Sequence, residues 1–227
     1  MITVISLGGS IVAPDAIDTE YISGFCSMIR DFLQKDESRK VILIVGGGGP
    51  ARRYQAAYRS LKNDPSDDDQ DWIGIMATRL NAELIRAVFS PECQDPVITN
   101  PEANFSFSGS VLVAAGWKPG FSTDFDAVML AERFGAKRIL NLSNIEKVYT
   151  SDPKTDPDAR PLDAISWEDF VEMVGSCWTP GKNTPFDPIA SAKARKMGLT
   201  VLATGGSKLE NVAAALEGQA FTGTTIG

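Results

Sequence analysis

The amino-acid sequence predicts an α/β fold, a three-layer α/β/α sandwich around a mostly parallel open sheet. Short apolar segments of strand length alternate with longer amphipathic segments along the whole chain. The segment 41–45 contains no polar residue, which is typical of a strand covered by helices on both faces. Glycine-rich turns follow the first two predicted strands. Because ligands of such sheets bind where the strands end, these turns are candidate binding sites.

Hydrophobic spacing predicts the elements in order along the chain. Strands are expected at 2–7, 41–45, 97–98, 111–113, 138–142 and 200–203. Helices are expected at 15–32, 51–61 and 72–88, from the 119–124 loop to 134, and at 167–174, 189–197 and 209–216. The stretches 64–71, 151–161 and 175–185 are predicted to be loops. No repeat and no low-complexity linker interrupts the pattern, so a single domain spanning 1–227 is expected.

Length and charge exclude several classes of function. The chain has 227 residues and a net charge of −7, without a basic stripe. Nucleic acid and anionic membranes are therefore not expected partners. The apolar run at 2–7 is too short for a signal peptide, and no stretch approaches the roughly 20 apolar residues of a membrane span. The expected location is the cytoplasm.

The chain contains no histidine, which excludes Ser-His-Asp and Cys-His catalysis. Its three cysteines, Cys26, Cys93 and Cys177, are widely separated and form no CxxC pair. Neither a disulfide framework nor a metal site is predicted from them. Any reaction must therefore use carboxylates, lysine, arginine, backbone amides and bound cations.

The first glycine turn, Gly8-Gly9-Ser10, closes the strand at 2–7. Glycines at this position allow backbone N–H groups to approach an anion, and the serine adds a hydroxyl donor. A tight turn without a ligand explains the same residues equally well. The chain contains no G-x-x-x-x-G-K-[ST] phosphate loop.

The second glycine turn, 46–49, favours a phosphate site more clearly. Four consecutive glycines carry a large conformational entropy cost, which is easier to explain if a ligand lies against bare backbone. Arg52 and Arg53 follow, and a guanidinium there can form paired hydrogen bonds to a phosphate. The match to a dinucleotide fingerprint is incomplete, because Ala51 stands at its sixth position. Two turns on two strands favour two separate phosphate-bearing ligands.

Other candidate residues have a functional and a structural interpretation. Residues 122–124 either shape a ligand loop or cap a helix, and Asp187 also stands at a predicted helix start. Asp71 ends an acidic run that is solvated by default. Asp152 lies in an Asp- and Pro-rich loop that either binds Mg²⁺ or simply turns the chain. Tyr149 either stacks on a base or packs in the core.

Taken in order, these motifs resemble those of the amino acid kinase family, and within it the archaeal-type UMP kinases. Each motif is weak alone, but the ordered set is specific and spans nearly the whole chain. The block 71–82 indicates the UMP kinases within the family. The segments that carry the resemblance are 7–10, 46–52, 71–82, 119–124, 144–153, 187–190 and 223–224.

The resemblance implies transfer of the γ-phosphoryl group of ATP, with Mg²⁺, to UMP in a homohexamer. UMP is expected on the N-terminal half and ATP on the C-terminal half, and Asp187 is expected to organise the transfer site. The residues implied for the ATP phosphates are Gly9, Ser10, Gly48 and Arg52. Those implied for the adenosine are Ser143, Tyr149 and Asp152. Those implied for UMP are Gly47, Asp71, Trp117, Lys118, Pro119, Gly120, Phe121, Ser122 and Thr123.

One position departs from the family in a way that concerns catalysis. Ser6 stands where many members carry a lysine that touches the transferring phosphoryl group. Lys118 and Lys182 are the two lysines we consider as catalytic replacements. The departure leaves two alternatives open. One is a family kinase with another small acceptor, and the other is a nucleotide-binding storage or regulatory protein of the same fold.

Overall fold

The computed structural model describes residues 1–175 and 184–227 and contains one large sheet and one small sheet. The strands are β1 (Ile2–Leu7), β2 (Lys40–Val45), β3 (Val111–Ala114), β4 (Arg138–Ser143), β5 (Val148–Tyr149), β6 (Pro161–Leu162), β7 (Ala164–Ile165), β8 (Thr200–Gly205) and β9 (Thr224–Ile226). The large sheet has the order β3-β2-β1-β4-β8-β9-β7, and β5 pairs with β6. Every pair in the large sheet is parallel except β8 with β9. This confirms the predicted mostly parallel sheet.

Five of the helices begin at a serine or aspartate whose side chain accepts a hydrogen bond from the amide three residues later. These cap residues are Asp18, Ser66, Ser122, Ser166 and Asp187. The helices are α1 (Gly9–Val12), α2 (Thr19–Gln34), α3 (Gly48–Leu61), α4 (Asp67–Val88), α5 (Thr123–Phe134), α6 (Trp167–Val174), α7 (Pro188–Met197) and α8 (Leu209–Leu216).

Two hydrophobic cores cover the two faces of the large sheet. On one face, alternate strand residues such as Leu43 pack with Phe25 of α2 and Ile85 of α4. On the other face, the intervening residues such as Ile42 pack with the apolar sides of α5, α6 and α7, including Phe170. The strands are buried on both faces because helices cover both, as the apolar run at 41–45 predicted.

The structure contains four elements that were not predicted, namely α1, β5, β7 and β9, and α2 begins at Thr19 although its helix was predicted from 15. Three further differences concern predicted segments. The acidic stretch predicted as a turn contains the start of α4, because Ser66 caps it and three aspartates in the first turn favour the helix dipole. The strand predicted at 97–98 is only an isolated bridge from Ile98 to Ala114. The loop predicted at 151–161 ends in β6, a strand of two residues. Within 1–175 and 184–227, none of the helices combines the length and apolar character required to cross a bilayer.

Candidate functional site

The two glycine turns lie side by side at one edge of the sheet. β1 pairs with β2 on one side and with β4 on the other, so the three strands end together. The Gly8 amide donates to the Leu142 carbonyl over 2.9 Å, and the Gly46 amide donates to the Leu7 carbonyl over 2.9 Å. Ser143, the last residue of β4, is therefore beside the first turn.

The glycines of the two turns pack directly against each other. A Cβ atom on Gly9 would overlap the amide nitrogen of Gly48, and one on Gly49 would overlap the carbonyl oxygen of Pro14. Gly48 also has a left-handed φ of 62°. The sequence interpretation attributed the glycine run to a ligand against bare backbone. The structure shows that the backbone of the first turn already requires several of these glycines.

Unpaired backbone donors nevertheless converge at this edge. Among the described residues, none accepts a hydrogen bond from the amides of Gly9, Ser10, Gly47 or Gly48, which stand at helix starts. The Arg52 guanidinium lies next to them and donates to the Ser10 hydroxyl over 3.1 Å. Free amides at helix N-termini together with a guanidinium suit the binding of phosphate.

Helix α4 contacts the second glycine turn through hydrogen bonds and close packing. The buried Asn81 side chain donates to the carbonyl of Gly46 over 2.8 Å and to that of Gly47 over 3.2 Å. A Cβ atom on Gly47 would lie 3.2 Å from the carbonyl oxygen of Gly74 in the same helix. The position of α4 therefore determines the position of this turn.

Residues 116–122, in the loop between β3 and α5, are held by the N-terminal part of α4. Asp71 accepts a hydrogen bond from the Gly120 amide over 2.9 Å. Burial raises the pKa of Asp71, the Gly120 amide opposes this, and Asp68 and Asp67 add to the rise. Asp71 is thus a half-buried side chain in contact with the predicted UMP loop, and not only a solvated charge of the acidic run. We call residues 116–122 the acceptor loop.

Lys118, one of the two candidate catalytic cations, lies over aromatic rings. Its Nζ is 3.7 Å from the centroid of the Trp117 ring and 5.1 Å from that of Phe121. In the described part of the chain, Lys118 forms no salt bridge. Lys182, the other candidate, lies outside the described residues, as does Cys177.

A buried chain of hydrogen bonds joins β1 to the starts of α5 and α7. Ser6 Oγ donates to Asp124 Oδ1 over 3.0 Å, and the Asp187 amide donates to Asp124 Oδ2 over 3.2 Å. Asp187 Oδ1 caps α7 through the Ala190 amide at 2.6 Å. Asp187 Oδ2 is buried and has no partner among residues 1–175 and 184–227. Asp187 therefore has a free oxygen in addition to its capping role.

The carboxyl groups of this chain have raised pKa values. Burial, with a further contribution from Asp187, raises the pKa of Asp124 to about 6. Burial also raises the pKa of Asp187, against hydrogen bonds from the Ala190 amide, the Ser122 side chain and the Ile189 amide. Perturbed carboxyls of this kind are common at functional sites and also in structural networks.

The candidate adenosine residues are divided between two places. Ser143 lies at the glycine turns, and its hydroxyl accepts a hydrogen bond from the Ile145 amide over 3.1 Å. Tyr149 ends β5 in the small sheet, where it is half-buried. Asp152 is exposed in the following loop and accepts a hydrogen bond from the Lys154 amide over 2.9 Å. The geometry thus brings Ser143, but not Asp152, next to the first turn.

A cavity of about 700 Å³ beside β7 and α6 contains none of the predicted site residues. Ile165, Asp169 and Met173 are among the residues that line it. Within the described ranges, no group of three or more His, Cys, Asp or Glu side chains is arranged to hold a metal ion.

Sequence reasoning did not select several residues that shape the site. Thr78 and Asn81 lie in the 71–82 block, and their burial inside a long helix is the signal that could have identified them. Asp124 was considered as one of three residues that either cap a helix or shape a ligand loop, and Ser122 is the cap. Asp126, a buried aspartate two residues further on, has no signal beyond its position on the apolar side of α5.

The fold and the paired turns define an α/β protein with a candidate phosphate site. A model of the Amino acid kinase family matches residues 1–203, and the chain belongs to this family.

The similar proteins within this family are uridylate kinases, also called UMP kinases. The chain is 33% identical over 226 residues to the uridylate kinase of Methanospirillum hungatei, covering 98% of this chain and 93% of that protein. It is 37% identical over 194 residues to the uridylate kinase of Methanosarcina acetivorans, covering 84% of this chain and 81% of that protein. The structure of the uridylate kinase from Archaeoglobus fulgidus has a TM-score of 0.79 and 32% identity, and 100% of both chains is covered. The UMP kinase structure from Bacillus anthracis, at 19% identity and a TM-score of 0.78, shares the fold.

Proposed function

We propose that this protein is a UMP kinase, which transfers the γ-phosphoryl group of ATP to UMP and produces UDP. The observation that carries the proposal is the shared edge of the two glycine turns, where free amides and Arg52 lie near the end of β4. The names of the similar archaeal proteins support UMP as the acceptor.

Within the single domain 1–227, we assign the two nucleotides to the two halves of the chain. The phosphates of ATP are placed at Gly9, Ser10, Gly48 and Arg52, and its adenosine on Ser143, Tyr149 and Asp152. UMP is placed at residues 117–122 of the acceptor loop, including Lys118 and Ser122, and at Thr123, the first residue of α5. Gly47 and Asp71 are assigned to the same nucleotide. Asp71 uses only one carboxylate oxygen for the Gly120 amide, so the other can accept a hydrogen bond from a ribose hydroxyl.

Such a transfer suits a site without histidine. The accepting phosphate oxygen of UMP is already anionic, so no strong general base is required. Alignment of the two nucleotides and neutralisation of the transferring charge become the main tasks. The amides of the two turns and Arg52 supply part of that neutralisation.

Mg²⁺ is proposed to enter together with ATP. Bound mainly by phosphate oxygens and water, as this ion commonly is, it would reduce the charge on the transferring group. The buried Asp187 Oδ2 has no partner in the described chain and can accept a hydrogen bond from a water molecule of the hydrated ion. That free oxygen is the feature of this structure that fits the group.

The remaining cation of the transfer site is proposed to be a lysine. Ser6 supplies a hydroxyl that donates to Asp124, so β1 itself places no positive charge there. Lys118 and Lys182 remain the candidates. The Lys118 ammonium lies over the Trp117 ring in this structure.

Release of ADP, measured with a coupled assay for a panel of acceptors, tests the proposed function. UMP, CMP, carbamate, aspartate and N-acetylglutamate are compared at equal concentration, and formation of UDP is checked by chromatography. The fastest turnover is expected with UMP. No turnover with UMP, or faster turnover with another acceptor, would contradict the proposal.

A nucleotide-binding protein without kinase activity is the second candidate, and the hydroxyl of Ser6 at the family's lysine position favours it. Thermal shift separates the two candidates. Stabilisation by both ATP and UMP without any UDP would indicate the storage or regulatory protein.

We also propose that the protein is a homo-oligomer, a hexamer by family resemblance. Trp72, Met76 and Leu80 are exposed apolar side chains spaced four residues apart along one stripe of α4. Leu80→Glu is expected to lower the mass in solution, while the control Ile17→Glu, on an exposed loop, leaves it unchanged. A monomeric wild type would contradict the proposal.

The two described cysteines, Cys26 and Cys93, are free and buried, in agreement with a reducing compartment such as the cytoplasm.

A further inference from the structure

Side chains of α4 and α5 hold the segment Gly116–Trp117, where the acceptor loop leaves β3. The Gly116 amide donates to Thr78 Oγ1 over 2.8 Å. Arg79 donates to the Trp117 carbonyl over 3.0 Å and to the Gly116 carbonyl over 3.4 Å. Asp126 accepts a hydrogen bond from the Trp117 amide over 3.2 Å. The backbone groups of two consecutive residues are thus bound by three side chains, so these side chains define the path of the loop.

Trp117 also begins a row of aromatic rings that pack against one another along the loop and into α5. The Trp117 and Phe121 ring centroids are 5.2 Å apart, and those of Phe121 and Phe125 are 4.6 Å apart. Phe125 lies in the first turn of α5, next to Asp126. A shift of the Trp117 backbone therefore changes the packing of the whole acceptor loop.

Asp126 is an unusual choice for a hydrogen-bond acceptor at this position. Its side chain is 1% exposed, and its Oδ1 has no partner in residues 1–175 and 184–227. Burial raises the pKa of Asp126 to about 7, the nearby Asp124 adds to the rise, and the Trp117 amide and Arg79 oppose it. A neutral asparagine could accept the same hydrogen bond without burying an ionisable group. The carboxyl is therefore retained at an energetic cost, next to the loop that would bind the acceptor.

We propose that Asp126 is a positioning residue for the acceptor site and acts through the Trp117 amide on the conformation of residues 116–121. The inference rests on the proposed function for the identity of the acceptor, and on the structure alone for the effect on the loop. Within the described chain, Asp126 forms no hydrogen bond to the glycine turns. Its loss should therefore affect the acceptor and leave ATP binding unchanged.

The experiment compares Asp126→Ala and Asp126→Asn with a control, Asp95→Ala. Asp95 is also a buried aspartate, 8% exposed, and accepts a hydrogen bond from the Ser108 amide over 2.7 Å, away from the acceptor loop. Two measurements are made on each variant. One is the KM for UMP and for ATP, and the other is hydrogen exchange of the peptide covering 116–122.

Asp126→Ala is expected to raise the KM for UMP about 10-fold or more, because it removes a hydrogen bond to a carboxyl. The KM for ATP should stay within about twofold, and the loop amides should exchange about 10-fold faster. Asp126→Asn retains an acceptor oxygen. The KM for UMP and the exchange rate of the loop amides should therefore lie within about threefold of the wild-type values. Asp95→Ala should change neither the KM for UMP nor the exchange rate of the loop amides. If Asp126→Ala does not fold, Thr78→Val, which removes the acceptor of the Gly116 amide, is expected to give the same separation of the two KM values.

Unchanged loop exchange in Asp126→Ala would overturn the inference, as would an equal rise of both KM values or a failure of asparagine to restore them. A wild type that produces no UDP would contradict the proposed function instead. The exchange measurement needs no substrate, so it then decides the role of Asp126 alone. Faster exchange reversed by asparagine supports that role, and unchanged exchange refutes it.

Discussion

The glycine turns and the acceptor loop are two parts of the proposed site that are held in different ways. The turns are held by backbone against backbone, because Gly9 and Gly48 approach closer than any Cβ would permit. The acceptor loop is held by side chains, among them Asp71 and Asp126, that reach it from two helices. A backbone contact allows almost no adjustment, whereas a side-chain contact can be remade in another rotamer. We therefore expect rigid turns and an adjustable loop.

The comparison is tested most strongly by Gly48→Ala, which should destabilise the protein more than any other change considered. The new Cβ would lie 2.6 Å from the Ala13 carbonyl oxygen and would overlap the backbone of Gly9. The φ of 62° adds conformational strain. The free energy of unfolding in urea should fall by about 3 kcal/mol or more, and ATP binding should be lost.

Gly135→Ala is the matched control for this change. Gly135 ends α5 with a φ of 65°, and a Cβ there would meet nothing within 4 Å. It should therefore lose only about 1 kcal/mol, the contribution of the left-handed conformation. Equal losses in both variants would show that contact between the turns does not require glycine at position 48.

The next largest effect concerns the missing cation of the transfer site. Lys182→Ala or Lys118→Ala is expected to lower kcat about 10²-fold or more, the scale of losing one charge contact in the transition state. Steady-state kinetics with saturating ATP and UMP measure this. Full activity in both variants would show that neither lysine replaces the one usual at position 6.

Asp71→Ala tests the acceptor loop from the α4 side. The variant removes the acceptor of the Gly120 amide and the proposed ribose partner, so the KM for UMP should rise about tenfold while that for ATP stays unchanged. Asp69→Ala, in the same acidic run, removes a first-turn charge of α4 and a contact to the Tyr58 hydroxyl, and serves as the control. A rise of the same size in both variants would assign the effect to the general charge of the run.

The smallest effect is a dependence of stability on pH that arises from the ionisation of Asp126. Burial raises its pKa from 3.8 to about 7, so the folded protein holds this proton more tightly than the unfolded chain does. Stability from this group is complete below the unfolded value and is lost as pH rises toward 7 and above. The free energy of unfolding of Asp126→Asn should therefore rise relative to that of the wild type as pH increases from 4 to 8.

Urea unfolding at several pH values measures this difference, with Asp36→Asn as a control of opposite sign. Hydrogen bonds from Ser38 lower the pKa of the exposed Asp36. The free energy of unfolding of the wild type should therefore rise relative to that of Asp36→Asn as pH increases from acid to neutral. If the difference in free energy of unfolding between Asp126→Asn and the wild type does not vary with pH, the pKa of Asp126 is not raised.

The long strands could be predicted closely, because each is an uninterrupted apolar run between polar segments. The run at 41–45 and the strand β2 agree to within one residue. The start of α4 was missed by five residues, since Asp67 and its acidic neighbours look like a solvated turn until Ser66 is identified as a cap. Strands of two residues, such as β5, contain too few positions for any period to appear.

The sequence by itself determined the order of strands and helices, the glycines of both turns and the absence of histidine chemistry. These features depend on hydrophobic spacing and backbone freedom, which are local properties of the chain. Only the tertiary structure decided that Ser6 bonds to Asp124, that Asp126 holds the Trp117 amide, and that the two turns require glycine for each other. Ser6 and Asp124 are 118 positions apart, and such partners are determined by the topology of the sheet rather than by any local pattern. For the same reason, the sequence interpretation attributed the glycines to a ligand alone, whereas contact between the two turns already requires several of them.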